Sequence, residues 1–268
     1  MVPVTVDGET VKLALITFKP AGNGPFPTLI FHHGSTGRGT DTTAFARPYE
    51  ARGMTQWFTE RGFAVLLPSR RGRGGSEGRY DEGFSIDRSY GYSCDETLSV
   101  PGADRALRDI DAVTPALLAM PFVDRSRVVV GGVSRGGILS VAWSGRQPTI
   151  PRAVINFVGG WMGTGCATAT SINRGLLNRG VAFGQPSIWL YGEYDSFYAL
   201  AHAGELRGLP EGRRQGHIQR IHPADRYQRP LHQLSAGIVG ADDASLSRRA
   251  RTIKALQPFR HIPRSKRQ

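Results

Sequence analysis

Gly132-Val133-Ser134-Arg135-Gly136 places a hydroxyl nucleophile between two glycines in the spacing G-x-S-x-G. The residues before it, 127–130, include three consecutive valines and read as a buried strand. Those after it, 138–143, suit a helix that buries a face. A serine at a sharp strand-to-helix turn has a strained backbone, and flanking side chains there would collide with the neighbouring strand and helix. Glycine two before and two after removes the collision. The hydroxyl would then stand clear at the carboxyl end of a sheet, with the Arg135 N–H at the helix start able to bind an oxyanion. The chemistry this predicts is acyl transfer through Ser134. The pattern alone is weak in a chain with 34 glycines, and the strand and helix around it give it weight.

The elements that must position this serine follow from the chain pattern. Residues 11–18 alternate as an opening strand, and Gly and Pro make 20–27 a loop. A short buried strand at 28–31 runs into His32-His33-Gly34-Ser35. Helical spacing covers 48–61. A strand at 63–67 leads into the loop Arg70-Arg71-Gly72-Arg73-Gly74-Gly75-Ser76. Residues 104–120 form an amphipathic helix, with Ala106, Leu107, Ile110, Val113, Leu117 and Leu118 on one face. Strands are expected at 153–158 and 187–191, the latter ending in Gly192-Glu193-Tyr194-Asp195, and 159–184 is expected to be an irregular, short lid. Strands alternating with helices predict right-handed βαβ units and a mostly parallel sheet.

Four of these motifs, in this order over about residues 10–200, resemble the α/β-hydrolase family: His32-His33-Gly34-Ser35, the Arg70–Ser76 loop, Gly132–Gly136, and Gly192–Asp195. Within it they resemble the dienelactone-hydrolase-like serine esterases and peptidases. The resemblance implies an α/β-hydrolase fold, a mostly parallel central sheet with helices on both faces, and hydrolysis of a small carboxylic ester or lactone through an acyl-enzyme. The alternative within enzymes is a serine peptidase of the prolyl-oligopeptidase type. The resemblance also implies that Asp195, rather than Glu193, orients a catalytic histidine, although an Asp after such a turn also serves as a helix cap. The second oxyanion donor would be the Ser35 amide, beside that of Arg135. No cofactor and no metal are implied. His32 and His33 read as a structural pair holding their loop by hydrogen bonds. Arg70, Arg71 and Arg73 read as a solvated structural loop.

The base is missing from its expected place. Histidines 217, 222, 232 and 261 are scattered among Arg, Gln and Pro, with no strand pattern around them. His232 and His217 are the candidates if the tail is genuine. The composition also breaks here. The chain carries a net +12, and residues 204–268 hold 14 of its basic and 5 of its acidic residues, against 20 and 17 in the first 203. The division is therefore a hydrolase core at 1–203 and a basic, atypical segment at 204–268. Back-translated and read one base later, His217-Ile218 becomes Thr-Phe, Tyr227-Gln228 becomes Ile-Asn, and Arg229-Pro230 becomes Gly-His. With permitted codons the stretch 214–233 reads G-K-A-T-F-N-E-F, then T-G-I-N-G-H-F-I-N. This resembles the family's final strand and Gly-His loop, so the tail is expected to be out of frame and the final strand and helix degraded. A pseudoenzyme without its histidine is the reading from another class.

The charge distribution argues against a nucleic-acid partner, because the excess is confined to the tail. No run approaches the ~18 apolar residues of a membrane span, and residues 1–7 carry no signal-peptide pattern. A cytoplasmic location is the default, a periplasmic or secreted one following if residues precede this N-terminus. Cys94 and Cys166 fall in irregular segments, close enough in the expected fold for a disulfide in an oxidising compartment.

Overall fold

The structure is a computed structural model that describes residues 1–192, 195, 197 and 198, and the backbone of 216–221. All of these fall in one compact unit, Met1–Gln228. A seven-stranded sheet has the order β3-β5-β4-β6-β7-β8-β9. Its strands are β3 (Leu15–Phe18), β4 (Phe26–His32), β5 (Ala64–Pro68), β6 (Val123–Val133), β7 (Ala153–Phe157), β8 (Ser187–Gly192) and β9 (Gly216–Ile221). Only β3 runs antiparallel to its neighbour; every other pairing is parallel. The centre of the sheet reads as unbroken apolar runs, Leu29-Ile30-Phe31 and Val128-Val129-Val130, all buried. Such continuity is what a strand covered on both faces requires.

The first strands differ from expectation. Residues 2–13 form a separate hairpin, β1 (Val2–Val6) with β2 (Glu9–Leu13), turning through Asp7 and Gly8, both at positive φ. Its inward residues Val2, Val4, Val6, Val11 and Leu13 join the main core. The alternation at 11–18 was therefore real but belongs to two strands.

The helix expected at 104–120 is longer. α2 (Glu96–Leu118) begins eight residues earlier, capped by the Asp95 carboxylate, which accepts from the Thr97 N–H at 2.8 Å. Pro101 and Gly102 disguise its first turns. A Cβ on Gly102 would come within 2.0 Å of the Gly83 nitrogen. The glycine lets the loop bearing Glu82 cross directly over the helix.

Helices α1 (Arg52–Thr59) and α3 (Arg135–Arg146) stand close to where the sequence puts them. Segment 159–184 departs from the expectation of irregular chain, for it contains α4 (Ala169–Asn178), which buries Ile172, Leu176 and Leu177. The reading that the tail holds no strand is also corrected: Gly216–Ile221 adds to the sheet edge, parallel to β8.

Candidate active site

Ser134 sits between β6 and α3 with φ 54° and ψ −122°. Positive φ at a side chain other than Gly, Asn or Asp is a strained state that persists only when the surroundings fix it. The fixing contacts are backbone bonds. The Ser134 N–H donates to Phe157 O at 2.9 Å, and its carbonyl accepts from Gly137, Ile138 and Gly160. The glycines are required by close approach. A Cβ on Gly132 would meet the Gly136 backbone at 2.3 Å, and one on Gly136 would meet His32 O at 2.0 Å. Ser134 itself is half-buried and accessible. Gly34 lies against it, 3.1 Å from a Gly34 Cβ position to the Ser134 Cβ. The loop carrying Ser35 thus runs beside Ser134. Arg135 opens α3, whose first N–H groups have no acceptor within the helix.

The Ser134 Oγ lies 3.1 Å from the Tyr198 hydroxyl. Tyr198 in turn donates to Gly160 O at 2.7 Å. Burial pushes this phenol up to about 12, so it stays protonated near neutrality and cannot act as a general base there. Sequence reasoning missed Tyr198; its position three residues after Asp195 was the available signal. Asp195 follows β8 at the carboxyl end of the sheet, the end that also carries Ser134. One carboxylate oxygen accepts from the backbone N–H groups of Phe197 and Tyr198, each at 2.8 Å. These two bonds fix the turn that delivers Tyr198 to Ser134.

Among the described residues no imidazole bonds to Ser134. His33 holds the loop as expected, accepting from Arg70 N at Nε2 and bonding Gly34 O through Nδ1. His32 does not, for neither ring nitrogen has a partner. Burial, aided by the Arg70 charge, lowers His32 to about 3 and His33 well below the usual imidazole value. Of the tail histidines, only His217 falls on a described backbone. Its register opposite Ile188 is two residues below the level of Val133, three strands from β6. Three strand spacings amount to about 14 Å, a separation that disfavours His217 as the base. Glu193, His222, His232 and His261 lie outside the described residues.

The arginine loop is not solvated; Arg70, Arg71 and Arg73 are all buried. Arg71 pairs with Asp109 at 2.6 Å and Asp7 at 2.8 Å. Arg70 pairs with Glu82 at 2.5 Å, and the Arg135 guanidinium lies 3.7 Å from the same carboxylate. Burial favours the protonated acid at Glu82, but the charges and hydrogen bonds of Arg70, with Arg135 and Arg73, hold it below the ordinary carboxylate range. The Arg135 guanidinium is also stacked between Tyr92 and Trp161, 3.7 and 4.1 Å from the ring centroids.

Arg135, Tyr92 and Trp161 line a pocket of about 460 Å³, with Ser35, Arg38 and Phe197 among others. Cys94 and Cys166 are joined as a disulfide on its wall, with Cα atoms 5.5 Å apart. The Asn173 side chain of α4 accepts from the N–H groups of Trp161 and Met162 and donates to Met162 O, tying the same wall down. Among the described residues no group of His, Cys, Asp or Glu could hold a metal ion.

The largely parallel sheet, the strained strand-to-helix turn at Ser134 and the Asp195 turn after β8 belong to an α/β-hydrolase fold of the dienelactone-hydrolase-like kind. Solved structures with this architecture include Est1E from Butyrivibrio proteoclasticus with ferulic acid bound (TM-score 0.55, 16% identity, covering 88% of this chain and 95% of that one). An acetyl xylan esterase from Paenibacillus sp. R4 gives a TM-score of 0.59 at 15% identity, over 87% of this chain and 80% of that one. A post-proline cleaving enzyme from Rickettsia typhi gives 0.53 at 15% identity, over 82% of this chain but only 32% of the other. The chain belongs to the prolyl oligopeptidase family, whose sequence profile matches residues 49–207. None of the curated proteins matches it in sequence.

Proposed function

We propose that this site hydrolyses small carboxylic esters or lactones, with Ser134 as nucleophile. The Ser134 oxygen attacks the acyl carbon, and the amides of Arg135 and Ser35 hold the tetrahedral oxyanion. The C–O bond to the alcohol then breaks, with the serine's proton passing through a base to the departing alkoxide. Water, deprotonated by the same base, releases the acid from the acyl-enzyme. Asp195 orients that base through its second carboxylate oxygen. The observation that carries the reading is the backbone of Ser134, strained at φ 54° and accessible at the carboxyl end of the sheet. Strain held by glycine-only contacts points to function more than to stability.

The base is the imidazole encoded one base out of frame by the codons of Arg229-Pro230. His232 is the alternative within the chain as written. With no base in place, the chain retains only oxyanion binding and positioning, and turnover falls by several orders of magnitude. The family match favours a second reading, a serine peptidase. Among the described residues, no carboxylate lines the pocket to receive a peptide's amino terminus, which supports the esterase.

The test is labelling of the chain by a fluorophosphonate, followed by peptide mapping. Modification at Ser134, absent in Ser134→Ala, supports the nucleophile. Modification elsewhere contradicts it, as does no modification of Ser134 in the version with its frame restored from residue 204. Cleavage of a prolyl 4-nitroanilide in preference to a 4-nitrophenyl ester would shift the assignment to a peptidase.

A further inference from the structure

The pocket lined by Ser35 and Arg135, whose segments flank Ser134, has an unusual lining. Tyr90 is 77% exposed and Phe197 48% exposed, two of the four large hydrophobic residues left in water among those described. Both open onto this one pocket, together with Tyr92, Trp161 and Met162. Scattered exposed apolar residues need no explanation. Five apolar or aromatic side chains converging on one cavity next to the Ser134 segment do, because Tyr90 and Phe197 stay exposed there while Trp161 and Met162 are buried beside them. The walls are flat and fixed. Arg135 is clamped between the faces of Tyr92 and Trp161. The Phe197 ring lies so close over Gly163 that a Cβ there would meet it at 2.8 Å. The disulfide and Asn173 hold the Trp161 segment in place. Among the described residues, the charged groups in the lining are the guanidiniums of Arg38 and Arg135. Such a surface favours a planar π-system and disfavours a cation.

We propose that this pocket receives the acid part of esters of planar aromatic carboxylic acids. It begins at Ser35 and Arg135, whose amides would hold the carbonyl oxygen, so the group attached directly to the carbonyl carbon enters it first. The assignment rests on Ser134 being the nucleophile and names the substrate class of that same site. The cationic lining excludes an aryl acid that bears an ammonium group.

Calorimetric binding to the full chain carrying Ser134→Ala tests this without turnover. Methyl benzoate should bind at least about fivefold more tightly than methyl cyclohexanecarboxylate, the same size without the π-system. It should also bind more tightly than phenyl acetate, which carries its ring on the alcohol side, and than methyl 4-(aminomethyl)benzoate. Tyr90→Ala and Phe197→Ala should each weaken methyl benzoate severalfold and together erase the preference for the aromatic ring. Tyr90 is exposed, so its variant keeps the fold. Equal affinity for the aromatic and saturated esters, or an unchanged preference in the double variant, would overturn the proposal. Tighter binding of phenyl acetate would overturn the acid-side placement. Fluorophosphonate labelling of unmodified Ser134 is read separately: a labelled chain without aromatic preference loses this inference alone.

Discussion

At the scale of single residues, the G-x-S-x-G spacing was legible because a steric demand writes itself into glycine positions. His32 O at 2.0 Å from a Gly136 Cβ is that demand in coordinates. The arginines were not legible. Arg70, Arg71 and Arg73 look like a solvated loop in sequence because their partners, Glu82, Asp109 and Asp7, are distant in the chain or hidden in other elements. Glu82 is the pivotal partner, since it is the carboxylate facing both Arg70 and Arg135. Glu82→Gln keeps the shape and removes the charge, leaving two buried guanidiniums without their counter-ion. The expected loss is about 3–5 kcal/mol of stability, measured by urea unfolding. A loss below about 1 kcal/mol would mean that the cluster is balanced by another group.

At the scale of elements, strands were read better than the segments around the pocket. Central strands declare themselves by unbroken apolar runs, whereas α2 hid its start behind Pro101 and Gly102, and α4 hid inside a glycine-rich stretch. Both helices begin next to the pocket wall. Cys94 precedes the cap of α2 and Cys166 precedes α4, so their disulfide joins the two starts across 72 residues. The Thr168 hydroxyl also donates to the Cys94 carbonyl, and that of Ser171 to Glu96. Closing a loop of this length restricts the unfolded chain, worth about 2–4 kcal/mol. Cys94 is exposed, so a reductant can reach the bond. Urea midpoints with and without dithiothreitol should differ by that amount, and the Cys94→Ser, Cys166→Ser variant should match the reduced protein. An unchanged midpoint after verified reduction would show that α4 is held by its hydrogen bonds alone.

At the scale of the whole molecule, two buried imidazoles and the reading frame decide how the protein behaves. His32 and His33 are neutral in the fold, with folded-state pKa values below the unfolded value of about 6.5. The unfolded chain therefore binds more protons as pH falls through 6.5. Stability is fully present above about 6.5 and is lost from there down toward about 3, the value for His32. Each imidazole contributes a slope of about 1.4 kcal/mol per pH unit. Below pH 6.5 and above 5, over the range where most carboxylates stay ionised, unfolding free energies should fall with a slope approaching about 2.8 kcal/mol per pH unit for the two together; a flat profile would show that the imidazoles find protonated partners.

The proposed change of reading frame would explain the part that remained unreadable. The family profile ends at residue 207, close to where the charge balance breaks. Gly216–Ile221 fills the sheet edge beside β8 with Gly-His-Ile-Gln-Arg-Ile, a sequence without a strand's alternation. With permitted codons, residues 217–221 read one base later as Thr-Phe-Asn-Glu-Phe, with phenylalanines at the places of Ile218 and Ile221. The central claim is that Ser134 awaits a histidine from that frame. Hydrolysis of 4-nitrophenyl acetate by this chain, beside a version with the frame restored from residue 204, tests it most directly. The account predicts a rise of at least about a thousandfold on restoration, abolished by Ser134→Ala. Equal, Ser134-dependent turnover in both would contradict it and make a histidine of the tail as written, His232 foremost, the base.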